Sequence, residues 1–334
     1  MQGRPMAHCA TLAVLPDNSL ISAWFAGTEE TAPDVSIMMS RMSNSPGVWE
    51  APQIIVDIPN CSLGQPVFLV QPNGELWLFF DVIDLSIKPN QGKNFFSDEI
   101  GDVNWSWYWQ NSQTYFQASQ NDGLTWSKPQ QLIDYPGLMF RSKPITLSDR
   151  IILPVYDERK FESRMLISND QGISWRLTNP IQTTQGNIHP CVVQLSNGNL
   201  LAYLRTGGSG GVIWRTYSDD LGETWAKPTP TKIPNPNSGI DLIRSNSGNL
   251  ILAFNNSSKV RSPLCVMVGD DDENWSEPKV IMEGEGEFSY PTLIQSNNQS
   301  FHLVYTFKRE CIHYASFTES WLCDNYINNE GRLK

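Results

Sequence analysis

SQNDGLTW (residues 119–126), SNDQGISW (168–175) and SDDLGETW (218–225) are three copies of one template. In each, Ser is followed two residues on by Asn or Asp, then by Gly after two more and by Trp after a further three. Two weaker copies end at Trp49 (MSNSPGVW) and Trp275 (VGDDDENW). Trp126, Trp175, Trp225 and Trp275 stand 49 to 50 residues apart. The gap from Trp49 to Trp126 equals one period plus an insertion of about 27 residues, and a period of this size marks a repeat architecture.

A second marker runs in phase with the first. PDNSLISAW, PNGELWLFF, SDRIILPVY, SNGNLLAYL, NSGNLILAF and NNQSFHLVY each place a Gly, Asn or Asp turn ahead of an apolar run, with another apolar run before it. That is the signature of a β-hairpin. Each period therefore holds four short antiparallel strands, the content of a propeller blade. Six hairpins predict an all-β, six-bladed β-propeller. It would form one domain over 1–334, with an insertion at about 82–112 in the second blade. No segment reads as a long amphipathic helix.

Composition narrows the partners. Of 334 residues, 40% are apolar, enough for a core, and 18% are charged, which gives no sign of disorder. A formal net charge of −11 repels nucleic-acid phosphates, so no nucleic-acid partner is expected. A small anionic ligand would need a local group of arginines to overcome that field. No run approaches 18 apolar residues, so no membrane span is expected. The start, MQGRPMAHCATLAVLPDN, lacks the order of a signal peptide and leads straight into a strand pattern, so a cytoplasmic protein is expected, with a processed secreted form as the alternative. Six cysteines without a CxxC pair read as buried thiols. Four scattered histidines make no metal site, and no cofactor is expected.

Chemistry in a propeller gathers where the innermost strands begin, around the central channel. Aligned on their turns, the inner strands read AHCATLAVLPDN, GQPVFLVQPNG, SKPITLSDR, IHPCVVQLSNG, SGIDLIRSNSG and SYPTLIQSNNQ. Four carry a polar or aromatic side chain directly before Pro: Gln65, Lys143, His189 and Tyr290. Proline is tolerated at a strand start and keeps its predecessor extended, which predicts that these side chains aim at one hollow. In PNPNSGIDL (234–242), small residues let backbone approach a ligand, and Asn237 and Asp241 offer hydrogen bonds to hydroxyls. GEGEF (284–288) brings Glu287 beside Tyr290, and YDERK (156–160) puts Glu158 and Arg159 near the rim. The VNWSWYWQ run (103–110) offers Trp105, Trp107, Tyr108 and Trp109 as an aromatic platform for a sugar face or as ordinary strand packing.

The SxDxGxxW template is similar to the Asp-box of the sialidase (neuraminidase) superfamily, and the resemblance covers nearly the whole chain. It implies a propeller whose Asp-boxes serve structure, not chemistry. It also implies a glycosidase site with three arginines around a substrate carboxylate, a tyrosine nucleophile activated by a glutamate, and an aspartic acid as acid/base. On that resemblance Tyr290 is the nucleophile and Arg261 a clamp arginine. Arg205 or Arg215 is another, and Asp34 in GTEETAPDVSIMMSR is the acid, with Glu29 or Glu30 as alternatives. Two positions depart from the pattern. His8 stands where the first clamp arginine would be, with Thr306 in place of its acidic partner, and His189 stands where the activating glutamate would be. An imidazole titrating near 6.5 can still take a proton at neutral pH.

The expectation is a glycoside hydrolase acting on an acidic saccharide: an anionic, carboxylate-bearing sugar, with strict sialic-acid specificity in doubt. Lys143 would restore some of the lost charge. Two rivals use the same residues: a lyase on uronate-containing glycans, and a non-catalytic glycan-binding propeller. No oligomeric state follows from the sequence.

Overall fold

Each of the six turn-plus-strand units folds as the hairpin between the two innermost strands of a small antiparallel sheet. The structure is a computed structural model and describes residues 3–42, 47–87, 108–208 and 210–324. Blade 1 comprises β1 (Met6–Val14), β2 (Leu20–Gly27), β3 (Ser36–Arg41) and β4 (Gln53–Val56). Blade 2 comprises β5 (Cys61–Val70), β6 (Leu76–Asp84), β7 (Gln113–Ser119) and β8 (Gln130–Ile133). In blade 3 the innermost strand is split into β9 (Leu138–Phe140) and β10 (Ile145–Leu147), followed by β11 (Arg150–Asp157), β12 (Glu162–Ser168) and β13 (Arg176–Leu177). Blade 4 holds β14 (Asn187–Gln194), β15 (Leu200–Thr206), β16 (Gly211–Ser218) and β17 (Thr229–Asn235). Blade 5 holds β18 (Asp241–Arg244), β19 (Leu250–Asn255), β20 (Leu264–Gly269) and β21 (Lys279–Met282). Blade 6 has β22 (Phe288–Gln295), β23 (Phe301–Phe307) and β24 (Cys311–Phe317), then helix α1 (Glu319–Cys323), whose Leu322 and Cys323 are buried on the apolar layer shared with blade 5.

The innermost strands neighbour one another in ring order, and β1 lies between β5 and β22, so the ring closes. The structure is thus a six-bladed β-propeller. Inner strands are buried on both faces because each blade is covered by its neighbours, and they read as continuous apolar runs, as in β2 (LISAWFAG). Outer strands such as β4 (QIIV) are half exposed. The core is a set of apolar layers between adjacent blades, such as Phe25, Ile37, Leu63, Phe68 and Phe80 between blades 1 and 2. Each such fully buried side chain stabilises the fold by roughly 1.5–3 kcal/mol.

The repeated motif closes the turn between the third and fourth strands. Ser168 Oγ accepts the Gly172 N–H at 2.7 Å, and Asp170 accepts the Ser174 N–H at 2.9 Å. The same bonds recur at Ser119 and Asn121 and at Ser218 and Asp220. Gly172 has φ +91°, and a Cβ there would lie 2.3 Å from Trp77 of the preceding blade. Glycine is therefore required twice over, by conformation and by space.

The insertion expected over 82–112 lies between β6, which runs on to Asp84, and β7, which begins at Gln113. Trp105 and Trp107 fall outside the described residues. Trp109 is buried against Gly64 and Phe25, which is packing and not an open platform. Of the cysteines, Cys9, Cys191, Cys265 and Cys323 are buried, Cys61 is half-buried and Cys311 is exposed.

Candidate active site

The expectation of an extended residue before each proline is corrected by the backbone at three of the four positions. Gln65, His189 and Tyr290 all have left-handed φ, at +46°, +50° and +53°, and Cys9 takes the equivalent place in blade 1 at +57°. Each begins a β-bulge: the inner-strand register slips between His8 and Thr11, Gly64 and Val67, Ile188 and Cys191, and Ser289 and Thr292. A bulge turns its first side chain out of the strand alternation. Non-glycine residues held in this region cost on the order of 1–3 kcal/mol each and cluster at functional sites. Four such bulges at one end of the channel mark that end as the candidate site.

Tyr290 stands at its centre and is 7% exposed. Its hydroxyl accepts a hydrogen bond from Arg205 Nη1 at 2.9 Å. The guanidinium carbons of Arg141, Arg205 and Arg261 lie 5.4, 5.6 and 5.4 Å from the centre of its ring. The imidazole of His8 packs on one side at 4.3 Å between ring centres, and that of His189 at 5.5 Å. Gly239 supplies a bare backbone against the ring, where a Cβ would sit 3.4 Å from its edge.

Arg205, at the end of β15, is fixed by Asn237, whose Oδ1 and main-chain oxygen accept from it at 2.9 and 2.7 Å. Its Nη1 also lies 3.2 Å from His189 Nδ1. The guanidinium thus stands between His189 and Tyr290, which make no direct polar contact. Arg261 donates to Glu287 Oε1 at 2.8 Å and to the Asn237 main-chain oxygen at 3.0 Å. Glu287 Oε2 accepts from Arg309 Nε at 3.1 Å, and Arg309 pairs in turn with Glu30. Four guanidiniums therefore meet two paired carboxylates, a local positive surplus on a chain of negative net charge.

The titrating groups respond to this setting. Burial, and then Arg205, Arg141 and Arg261, hold His189 well below the usual imidazole range. Burial and Arg309 do the same to His8. Both rings are therefore neutral at pH 7. His8 Nδ1 is 2.9 Å from Thr306 Oγ1, which also accepts the Cys9 N–H, while His8 Nε2 is buried with no hydrogen-bond partner among the described residues. Burial opposes ionisation of Glu287, but Arg261 and Arg309 outweigh it and keep the carboxyl well below the ordinary carboxylate range. Burial pushes the Glu158 carboxyl up to about 8 against the opposing pull of Arg205.

The structure thus gathers Tyr290, His189, His8, Arg205, Arg261, Asn237 and Glu287. Gln65 takes its blade's bulge position, its Oε1 2.6 Å from the Cys9 thiol. Four other residues lie elsewhere. Arg215, on β16, pairs with Asp272 and Glu273 of the next blade's turn, so of the two arginines only Arg205 meets Tyr290. Lys143 pairs with Asp241, and the two line a separate cavity of about 340 Å³ with Cys191–Gln194 and Arg244, further along the channel. The reason lies in blade 3, where four residues (141–144) oppose only Leu153 and Pro154 between β9 and β10, so its X-Pro step is not equivalent to the others. Asp34 closes its own loop: its carboxylate accepts from the Thr28 N–H at 3.0 Å and from the Thr28 hydroxyl at 2.6 Å, and it touches none of the cluster. Glu30 from the same loop enters the network instead.

Sequence reasoning missed Arg141 and Arg309 entirely. Both are exceptions to the inner-strand alignment: Arg141 lies in the split strand, and Arg309 in the turn between β23 and β24. The available signal was topological, since turns between second and third strands fall at the same end as the inner-strand starts.

The comparisons agree with this architecture. The BNR repeat-like domain family matches residues 18–303. The chain belongs to the BNR repeat-like domain family. It is 28% identical over 124 residues to the anhydrosialidase of Macrobdella decora, a match covering 34% of this chain and only 16% of that protein. Among solved structures it is similar to a Hadza microbial sialidase, with TM-score 0.78 and 18% identity, over 95% of this chain and 66% of that one. An intramolecular trans-sialidase from Ruminococcus gnavus, solved with oseltamivir carboxylate, gives TM-score 0.75 and 16% identity over 95% of both chains. These likenesses establish the BNR-repeat fold. Among the described residues no helix is long and apolar enough to cross a membrane, and no group of three His, Cys, Asp or Glu could hold a metal.

Proposed function

We propose that this chain is a sialidase-type glycoside hydrolase acting on an anionic, carboxylate-bearing sugar. The observation that carries the reading is the setting of Tyr290: a phenol between two neutral imidazoles, with three guanidiniums within 5.6 Å of its ring centre. Arg205, Arg261 and Arg309 are the groups to receive the substrate carboxylate, each charge-assisted bond contributing about 1.5–3 kcal/mol. Arg309 makes good the cation missing at His8, which explains how His8 and Thr306 can stand as a neutral hydrogen-bonded pair. Tyr290 attacks the anomeric carbon, its phenolic proton passes to His189 through a bridging water because Arg205 keeps the two side chains out of direct polar contact, and the guanidiniums stabilise the charge that develops. The likeness to sialidases and to an anhydrosialidase supports a sugar acid as substrate.

A product-resolved screen against sialic acids, related keto-deoxy sugars and uronides tests this, with Tyr290→Phe as control. Release of the free sugar by the parent and not by the variant supports hydrolysis. The two neutral imidazoles beside Tyr290 also favour one second reading, removal of a proton α to a uronate carboxylate. An unsaturated product in the same screen would select that lyase reading.

A further inference from the structure

The loop carboxylates offered by sequence leave the reaction without a proton donor. Asp34 is an ionised cap held by the N–H and hydroxyl of Thr28, Glu29 is exposed to solvent, and Glu30 is paired with Arg309. Asp157 is taken up by Arg159 and by the Tyr135 hydroxyl, which donates to it at 2.8 Å. Asp81 is fully buried behind Phe140, whose N–H it accepts at 3.3 Å. Glu158 differs from all five. It is the first residue after β11, and its N–H is anchored to Gly137 O at 2.8 Å. Strand alternation puts it on the same side as Tyr156, whose ring packs 4.8 Å from that of His189. Its N–H bond to Gly137 extends the β9–β11 pairing one step beyond Asp157 and Leu138, at the end of blade 3 where the site lies, and Arg205 of blade 4 and Glu30 of blade 1 act on its carboxyl through their charges. Its carboxyl oxygens have no hydrogen-bond partner among the described residues, although the residue is only partly exposed.

We propose that Glu158 is the proton donor to the leaving group in this site, in the place that Asp34 fills on the family pattern. The inference rests on the glycoside-cleaving reading above. As Tyr290 oxygen bonds to the anomeric carbon, the glycosidic C–O bond breaks with its electron pair on the departing oxygen, which receives the Glu158 proton. In the second half, the Glu158 carboxylate takes a proton from the water whose oxygen attacks the anomeric carbon, and the tyrosyl C–O bond breaks. Burial supports the assignment, because the carboxyl, pushed up to about 8, still carries its proton at neutral pH.

The test is Glu158→Gln measured on two substrates with the same acidic sugar, one with a nitrophenol leaving group and one with a sugar alcohol. A nitrophenol departs without protonation, so kcat/KM should fall less than about tenfold for it and roughly 10²–10⁴-fold for the sugar alcohol. The alkaline limb near pH 8 should disappear from the variant's profile. Formate added to Glu158→Ala should restore part of the lost rate, which also controls for misfolding. Equal loss on both substrates, or no loss on either, overturns the role of Glu158 while leaving the hydrolase reading intact. A parent inert on both, with Tyr290→Phe no different, overturns the hydrolase reading and this role with it.

Discussion

Replacing Arg205 by methionine keeps the apolar stem of the side chain and removes its charge and donors. The wild-type guanidinium serves Asn237 Oδ1, Asn237 O, Tyr290 Oη and His189. Asn237 O retains a donor in Arg261, and the Tyr290 hydroxyl can still donate, so the acceptors left unpaired are Asn237 Oδ1 and the acceptor nitrogen of His189. An orphaned buried acceptor costs about 1–3 kcal/mol, the expected loss per acceptor in urea denaturation. Loss of one charge-assisted bond to the substrate carboxylate, about 1.5–3 kcal/mol, should cut kcat/KM roughly 10- to 150-fold. Arg205 is also the second cause, after burial, that depresses His189. In the variant the imidazole should titrate higher than in the parent, yet still below its ordinary value, as followed by NMR of the ring protons. Unchanged kinetics together with an unmoved His189 would refute the placement of Arg205 between the imidazole and the phenol.

Three further outcomes follow from the same geometry. Gly172→Ala meets both a left-handed φ and Trp77, and should destabilise by about 2–4 kcal/mol, whereas Gly198→Ala, with φ +89° and open space, should cost only the conformational part of about 1–2 kcal/mol; equal melting shifts would contradict the packing. His8 and His189 are buried neutral, so the native state binds fewer protons than the unfolded chain below pH 6.5, and each should cost up to about 1.4 kcal/mol of stability per pH unit below that value; His189→Gln should flatten the acid side of the stability curve, and an unchanged slope would sink the assignment. Arg309→Gln should raise KM for a carboxylate-bearing substrate about tenfold with little change in kcat, and should leave a neutral ester analogue unaffected.

The fold was legible because both of its markers are local. The Asp-box turn and the inner hairpin each need particular residues at fixed offsets, and the hairpin recurs six times and the turn, in whole or in part, five times. Tyr290 and His189 were legible for a related reason, since proline marks the bulge that re-aims each of them. The same mark misled at Lys143, where blade 3 accommodates its extra residues by splitting the strand, a difference set by pairing with Pro154 and invisible in the dipeptide Lys-Pro. Arg309 and the role assigned to Glu158 lie in second-to-third-strand turns, which carry no motif. Their meaning comes from charge balance around Tyr290, and that balance exists only once blades 1, 3, 4, 5 and 6 are brought together.

The account rests on Tyr290 as the group that bonds to the sugar. Fluorinated glycosyl fluorides of the acidic sugars turned over in the screen should slow the second half-reaction and trap that bond. Mass spectrometry of the quenched, digested protein should then find the sugar's mass added to the peptide containing Tyr290, and no addition in Tyr290→Phe. Turnover of those sugars with no adduct on Tyr290, or with the adduct on another residue, would contradict it.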